Sequence, residues 1–186
     1  MKKLLAIAAA STALISAPAL AGDSASDTLD VTATVQPECS LDDPNNVNFG
    51  NISIDQASGP GALLINQQFH NNFQNIWASC NYGARMTISS QNGGLLNPEP
   101  NDGPDAGDFT NVIEYRASMT ATSNSAFLTT HLFTHTGGPG VSGSRVNADA
   151  FHDNASLRVY IFSGDNSLRP LAGTYTDVTT VSVGPV

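Results

Sequence analysis

Leu171-Ala172-Gly173-Thr174-Tyr175-Thr176-Asp177-Val178-Thr179-Thr180-Val181-Ser182-Val183 reads as a β-strand. It is rich in β-branched and aromatic residues, enters through Pro170 and Gly173, and carries no charge after Asp177. Only Gly184-Pro185-Val186 follow, so nothing on the C-terminal side is expected to cover this strand's far edge.

Composition supports a β reading for the whole chain. Charged residues make up 12% of 186, against roughly 25% in an average soluble domain. Thr, Ser, Val, Asn and Gly dominate, while the strong helix formers of exposed faces are scarce. That balance favours an all-β domain.

The start of the chain differs in kind. Met1-Lys2-Lys3 leads into an apolar run ending at Ala19-Leu20-Ala21, the pattern of a secretory signal peptide cleaved before Gly22. Residues 1–21 are therefore expected to be removed, leaving an N-terminal extension over 22–36 and a folded domain over 37–186. No other apolar run approaches the roughly 18 residues that cross a bilayer as a helix. The mature part keeps five arginines against 16 acids, hence a formal charge of −11. Such a chain repels phosphate backbones and anionic lipid, which argues against nucleic acid and membrane as partners.

Export also sets the chemistry of Cys39 and Cys80, the only two cysteines. In an oxidising compartment they are expected to form one structural disulfide. Neither has a Cys-x-x-Cys spacing or a nearby histidine, so metal or redox chemistry has little support.

Period-two patterning recurs along the chain. Leu29, Val31, Ala33 and Val35 alternate with polar residues over 27–35, predicting a half-buried strand. Val47–Phe49 and Ile52–Ile54 predict a short strand bent at Gly50-Asn51, and 62–69 a weaker one. Further strands are expected around Ile76, Ala78 and Cys80, with Trp77 on the other face, and around Met86 and Ile88. Residues 91–108 read as a loop. Ile113, Tyr115, Ala117 and Met119 line one face of the next strand. Residues 126–134 and Leu157, Val159 and Ile161 mark two more, while 141–153 look irregular. Eight or nine short strands separated by turn residues indicate a two-sheet Greek-key sandwich.

Three blocks resemble the spore coat U family, the archaic chaperone–usher pilins. They are Val31-Thr-Ala-Thr-Val-Gln-Pro-Glu-Cys39 with Val47-Asn-Phe-Gly50, then Ile76-Trp-Ala-Ser-Cys80-Asn81, and lastly Ser156-Leu-Arg-Val-Tyr160 joined through Gly164 to Ala172-Gly-Thr-Tyr-Thr-Asp177 and the final strand. The match is looser over about 91–150. Val178 also breaks the even Thr/Val alternation usual in the last strand. The resemblance implies an immunoglobulin-like sandwich that is incomplete, its missing strand supplied by a neighbouring subunit. On this reading Leu171, Tyr175, Val178, Val181 and Val183 belong to the last strand and its acceptor groove.

Leu29, Val31, Ala33 and Val35 are the candidate donor residues; burying them in a neighbour would contribute on the order of 5 to 8 kcal/mol. The same stretch could instead be the domain's own first strand, and both readings stay open. The partners implied are identical or related pilin subunits in a head-to-tail polymer, a periplasmic chaperone and an outer-membrane usher. The implied destination is a surface fibre that supports adhesion and biofilm formation, with no cofactor.

Other chemistry is weaker. Glu99, Asn101, Asp102, Asp105 and Asp108 offer oxygen ligands, but without the spacing of a twelve-residue calcium loop and stiffened by three prolines. His131 and His135, placed in one strand, would sit about 13 Å apart, too far to share a metal at ~2.0 Å. His70 and His152 add no motif, which leaves a dismutase-like metalloenzyme a weak third reading. Gly140-Val-Ser142-Gly-Ser144 fails the nucleophile-elbow pattern at its last position. These readings point away from an enzyme; a monomeric lectin-like binding module remains the alternative to the fibre.

Overall fold

The computed structural model describes residues 26–67, 69–123, 126–146 and 149–186. The expected signal segment lies outside them. The chain divides into two units, residues 1–35 and 36–186. In the first, residues 26–35 carry no strand, and Leu29, Val31 and Val35 are 86%, 85% and 82% exposed. The half-buried strand expected there is not formed, because no ladder hydrogen bonds hold the stretch.

The second unit is an antiparallel β-structure built around one core. Its strands are β1 (Cys39–Leu41), β2 (Phe69–Cys80), β3 (Arg85–Ser90), β4 (Leu95–Leu96), β5 (Phe109–Thr110), β6 (Val112–Ile113), β7 (Arg116–Ser123), β8 (Ala126–Phe133), β9 (Ser142–Val146), β10 (Phe151–Phe162), β11 (Arg169–Pro170) and β12 (Thr179–Gly184). The larger sheet runs β1-β2-β10-β7-β8 and the smaller β12-β3-β9, with β4-β6 and a parallel β11-β5 pair beside them. Successive strands cross repeatedly between the two sheets, the Greek-key pattern expected.

Period-two alternation explains the core. Ile76, Ala78 and Cys80 of β2, Met86 and Ile88 of β3, and Leu157, Val159 and Ile161 of β10 all point inward and are buried. Trp77, one residue out of phase, is 47% exposed. Cys39 and Cys80 face each other across the β1–β2 register and are disulfide-bonded.

Several expected boundaries change. The last strand begins at Thr179, not Leu171, because upstream backbone is diverted: Tyr175 O–H donates to Leu171 O (2.8 Å), and Gly173 sits at φ +150° against the Asn97 side chain. Of the strands expected over 47–54 and 62–69, only an Ile54–Ile65 bridge forms within 47–67, and Gly50 bends the chain at φ +66°. Residues 141–153, expected to be irregular, contain β9 and the start of β10; Ser and Gly hide a strand that β3 recruits by pairing. The 91–108 loop contains β4. Phe133 ends β8, placing His135 in a 3-10 turn and not in a strand, since Thr134 turns inward and its hydroxyl binds the Tyr115 backbone at both N–H and C=O.

One seam of the sandwich is closed by a glycine. At Gly143 of β9 a Cβ would lie 1.5 Å from the His131 carbonyl oxygen of β8, so only glycine lets these strands meet. Gly143→Ala should therefore cost about 2 to 3 kcal/mol or more in urea denaturation, whereas Gly103→Ala, with open space around it, should stay within ~0.5 kcal/mol. Cys80→Ser, opening a loop that spans 41 positions, should cost about 4 kcal/mol in the same assay.

Candidate functional site

The opposite seam is open. β12 pairs with β3 along its whole length, and among the described residues no strand pairs with its other edge. Gln91 N–H donates to Val178 O (3.0 Å), which sets the hydrogen-bonded rungs at Val178, Thr180 and Ser182. Thr179, Val181 and Val183 must then aim their N–H and C=O groups away from β3, at the vacant side. Their side chains are the half-buried ones of β12.

Facing this edge is the segment after β1. It leaves the larger sheet at Asp42, whose N–H donates to Trp77 O (2.9 Å) and whose carboxylate accepts from Trp77 N–H (3.0 Å). Three residues later the Gln74 side chain imitates a ladder rung, accepting from Asn45 N–H and donating to Asn45 O, both at 2.7 Å. From Asn46 to Ile52 no backbone–backbone hydrogen bond forms among the described residues. Two walls with unpaired backbone thus face each other.

Between them lies an apolar cleft. One part, about 360 Å³, has Val47 and Phe49 on one wall, Thr179 and Val181 on the other, and Leu157, Val159 and Tyr115 among its lining. A second part, about 760 Å³, shares Val47, Phe49 and Leu95 and extends past Ile52, Ile54, Leu171 and Tyr175. Leu157, Val159 and Tyr115 are buried floor residues. Past Asp177 the open edge ends, because Thr176 and Leu96 exchange both backbone hydrogen bonds (3.0 and 2.8 Å).

Asp177 anchors β12 at that end. Its carboxylate accepts from Ser90 Oγ, Asn92 N–H (2.9 Å), Val178 N–H (2.8 Å) and Tyr115 O–H (2.7 Å). The Tyr115 oxygen also meets Thr179 Oγ1 at 2.6 Å. Burial pushes the Tyr115 phenol well above its ordinary range, so it stays neutral and can donate. This cluster holds a charge by satisfying it, and it offers neither a nucleophile nor an open ligand position.

Of the residues named from sequence, Leu171, Tyr175 and Val181 line the cleft, and Val183 packs partly buried against the core. Val178 lies before β12, 58% exposed, and borders the rim. Leu29, Val31, Ala33 and Val35 are exposed in the first unit. The opposite wall at Val47 and Phe49, the Gln74 clamp and the Asp177–Tyr115 anchor were not assigned to a site from sequence. Alternation at Val47-Asn48-Phe49 was the available signal for the first.

Among the described residues no group of three or more His, Cys, Asp or Glu could hold a metal ion, and no helix is long and apolar enough to cross a membrane. The family model described as Spore Coat Protein U domain matches residues 25–182. No curated protein and no solved structure matches the chain.

Asp177→Ala would leave the Ser90 and Tyr115 hydroxyls without their acceptor, and should cost about 1 to 3 kcal/mol in urea denaturation. Because folding raises the Tyr115 pKa, its contribution is complete below the unfolded value near pH 10 and is lost as pH climbs toward the folded one. Stability measured from pH 8 to 11 should fall above about pH 10, and Tyr115→Phe should flatten that fall.

Proposed function

Because this chain belongs to the Spore Coat Protein U domain family, we propose that it is a structural subunit of a surface fibre, joined to its neighbours by strand donation. The family is one of pilin-like structural subunits, consistent with an exported, non-enzymatic role. The observation that carries the finer reading is the vacant edge of β12 above an apolar floor. An uncovered edge of this kind is a liability that proteins normally blunt or cover. An added strand would satisfy the backbone groups of Thr179, Val181 and Val183 while alternate side chains filled the cleft.

Residues 27–35 have the matching chemistry. Leu29, Val31, Ala33 and Val35 repeat every second position and are exposed in the single chain. Donated to the next copy, they make a head-to-tail contact that propagates without closing. A periplasmic chaperone would protect the cleft before assembly and an outer-membrane usher would exchange it for the next subunit, with attachment and biofilm formation as the outcome.

A chain lacking residues 22–31 should fold, keep its disulfide and fail to polymerise, running as a monomer on unboiled denaturing gels where the intact protein gives heat-labile ladders. Ladders from the truncated chain would refute the donor assignment. A single monomer band from the intact chain would favour the monomeric module.

A further inference from the structure

The outer face of the larger sheet carries a feature that strand donation does not use. Phe73 and Trp77, 64% and 47% exposed, project from the same side of β2. Four strand positions put them about 13 Å apart. Trp77 is stacked on His152 of β10, centroids 4.8 Å apart and planes 16° from parallel. The imidazole is itself fixed, its Nδ1 lying 2.6 Å from Ser79 Oγ. The indole is thereby held as a flat, half-exposed plate.

Its surroundings are polar, and the acid beside it, Asp42, turns its carboxylate to the Trp77 N–H (3.0 Å). In the β2–β10 register Asn154 lies opposite Trp77, Ser156 opposite Asn75 and Arg158 opposite Phe73. Asn75, Asn154 and Ser156 are exposed. The guanidinium of Arg158 sits over the rings of Phe73 and Tyr160, at 5.1 and 4.1 Å. No outward position from Asn71 to Ser79 or from His152 to Tyr160 is a carboxylate, although the chain has 16 acids. β10 turns Leu157 and Val159 toward the cleft and Ser156 and Arg158 the other way, so filling the cleft leaves this face uncovered.

We propose that Trp77, with Phe73, Asn75, Asn154 and His152, forms a binding platform for a neutral saccharide chain. Rigid aromatic plates receive the apolar C–H faces of sugar rings, and exposed amides and hydroxyls pair with sugar hydroxyls. The negative charge of the rest of the chain disfavours an anionic polymer at the same face. The ordinary alternative is that aromatic residues here serve only strand propensity. That alternative does not require Trp77 to be pinned flat by a hydrogen-bonded imidazole.

Trp77 is the only tryptophan, so its emission reports on the platform directly. Intact subunit should be titrated with cellohexaose, mannohexaose and xylohexaose, with hexagalacturonate as the anionic control. A saturable change in emission is expected with at least one neutral probe and none with hexagalacturonate. For that probe, calorimetry should show affinity reduced at least tenfold in Trp77→Ala and about threefold or more in His152→Ala, with Thr120→Ala unchanged. Ladder formation should be unaffected in all three variants. Silence with every neutral probe, equal affinity in Trp77→Ala, or a change in Trp77 emission produced by polymerisation alone would overturn the assignment, the last pointing to a second copy as occupant.

Discussion

A strand edge that no other strand among the described residues pairs with is the constraint from which the rest of this molecule follows. β12 is fully paired with β3 on one side, and on the other it presents the backbone groups of Thr179, Val181 and Val183. Beneath that edge the side chains of Leu157, Val159 and Tyr115 form an apolar floor. The sandwich solves the same problem differently at its other seam. There Gly143 has no side chain, and β9 approaches β8 so closely that a Cβ would strike the His131 carbonyl. Two seams of one core thus have opposite fates, and a single missing Cβ accounts for the closed one.

Holding a groove open requires its walls to be fixed without being joined. On one side Asp177 gathers four donors and ties the start of β12 to β3 and to Tyr115. On the other, Asp42 and Gln74 pin the departing chain to the edge of β2. The disulfide between Cys39 and Cys80 fixes the base of that same wall. All three devices use side chains where a backbone ladder would have closed the gap. β10 lies between two surfaces, giving Leu157 and Val159 to the cleft and Asn154, Ser156 and Arg158 to the aromatic platform on the sheet's outer face.

Sequence patterning revealed the strands whose two faces meet different media. β3, β7, the second half of β2 and most of β10 alternate cleanly because one face is buried, so their core residues show in the sequence, whereas residues 69–75 of β2 lack that rhythm. β9 was hidden, since Ser142-Gly-Ser-Arg-Val146 has no apolar rhythm; its pairing with β3 overrides weak local propensity. The last strand starts later than the sequence suggests, because Thr174, Tyr175 and Thr176 have strand propensity while the side chains of Tyr175 and Asp177 bond elsewhere. For residues 27–35 the alternation is real, but a lone strand forms no ladder within its own unit. The cleft was legible only through family resemblance, which pointed to Val181 and Tyr175. Alternation at Val47 and Phe49 marks apolar residues of its far wall, but their role as a wall follows only from their place opposite β12.

Amide hydrogen exchange along β12 tests the vacant edge most directly. In the subunit lacking residues 22–31, the amides of Thr180 and Ser182, bonded to β3, should exchange slowly, while those of Thr179, Val181 and Val183 should exchange fast. In the polymer of the intact chain all five should be slow. Protection of Thr179, Val181 and Val183 already in the isolated truncated subunit would contradict the account, because it would mean the edge is covered from within.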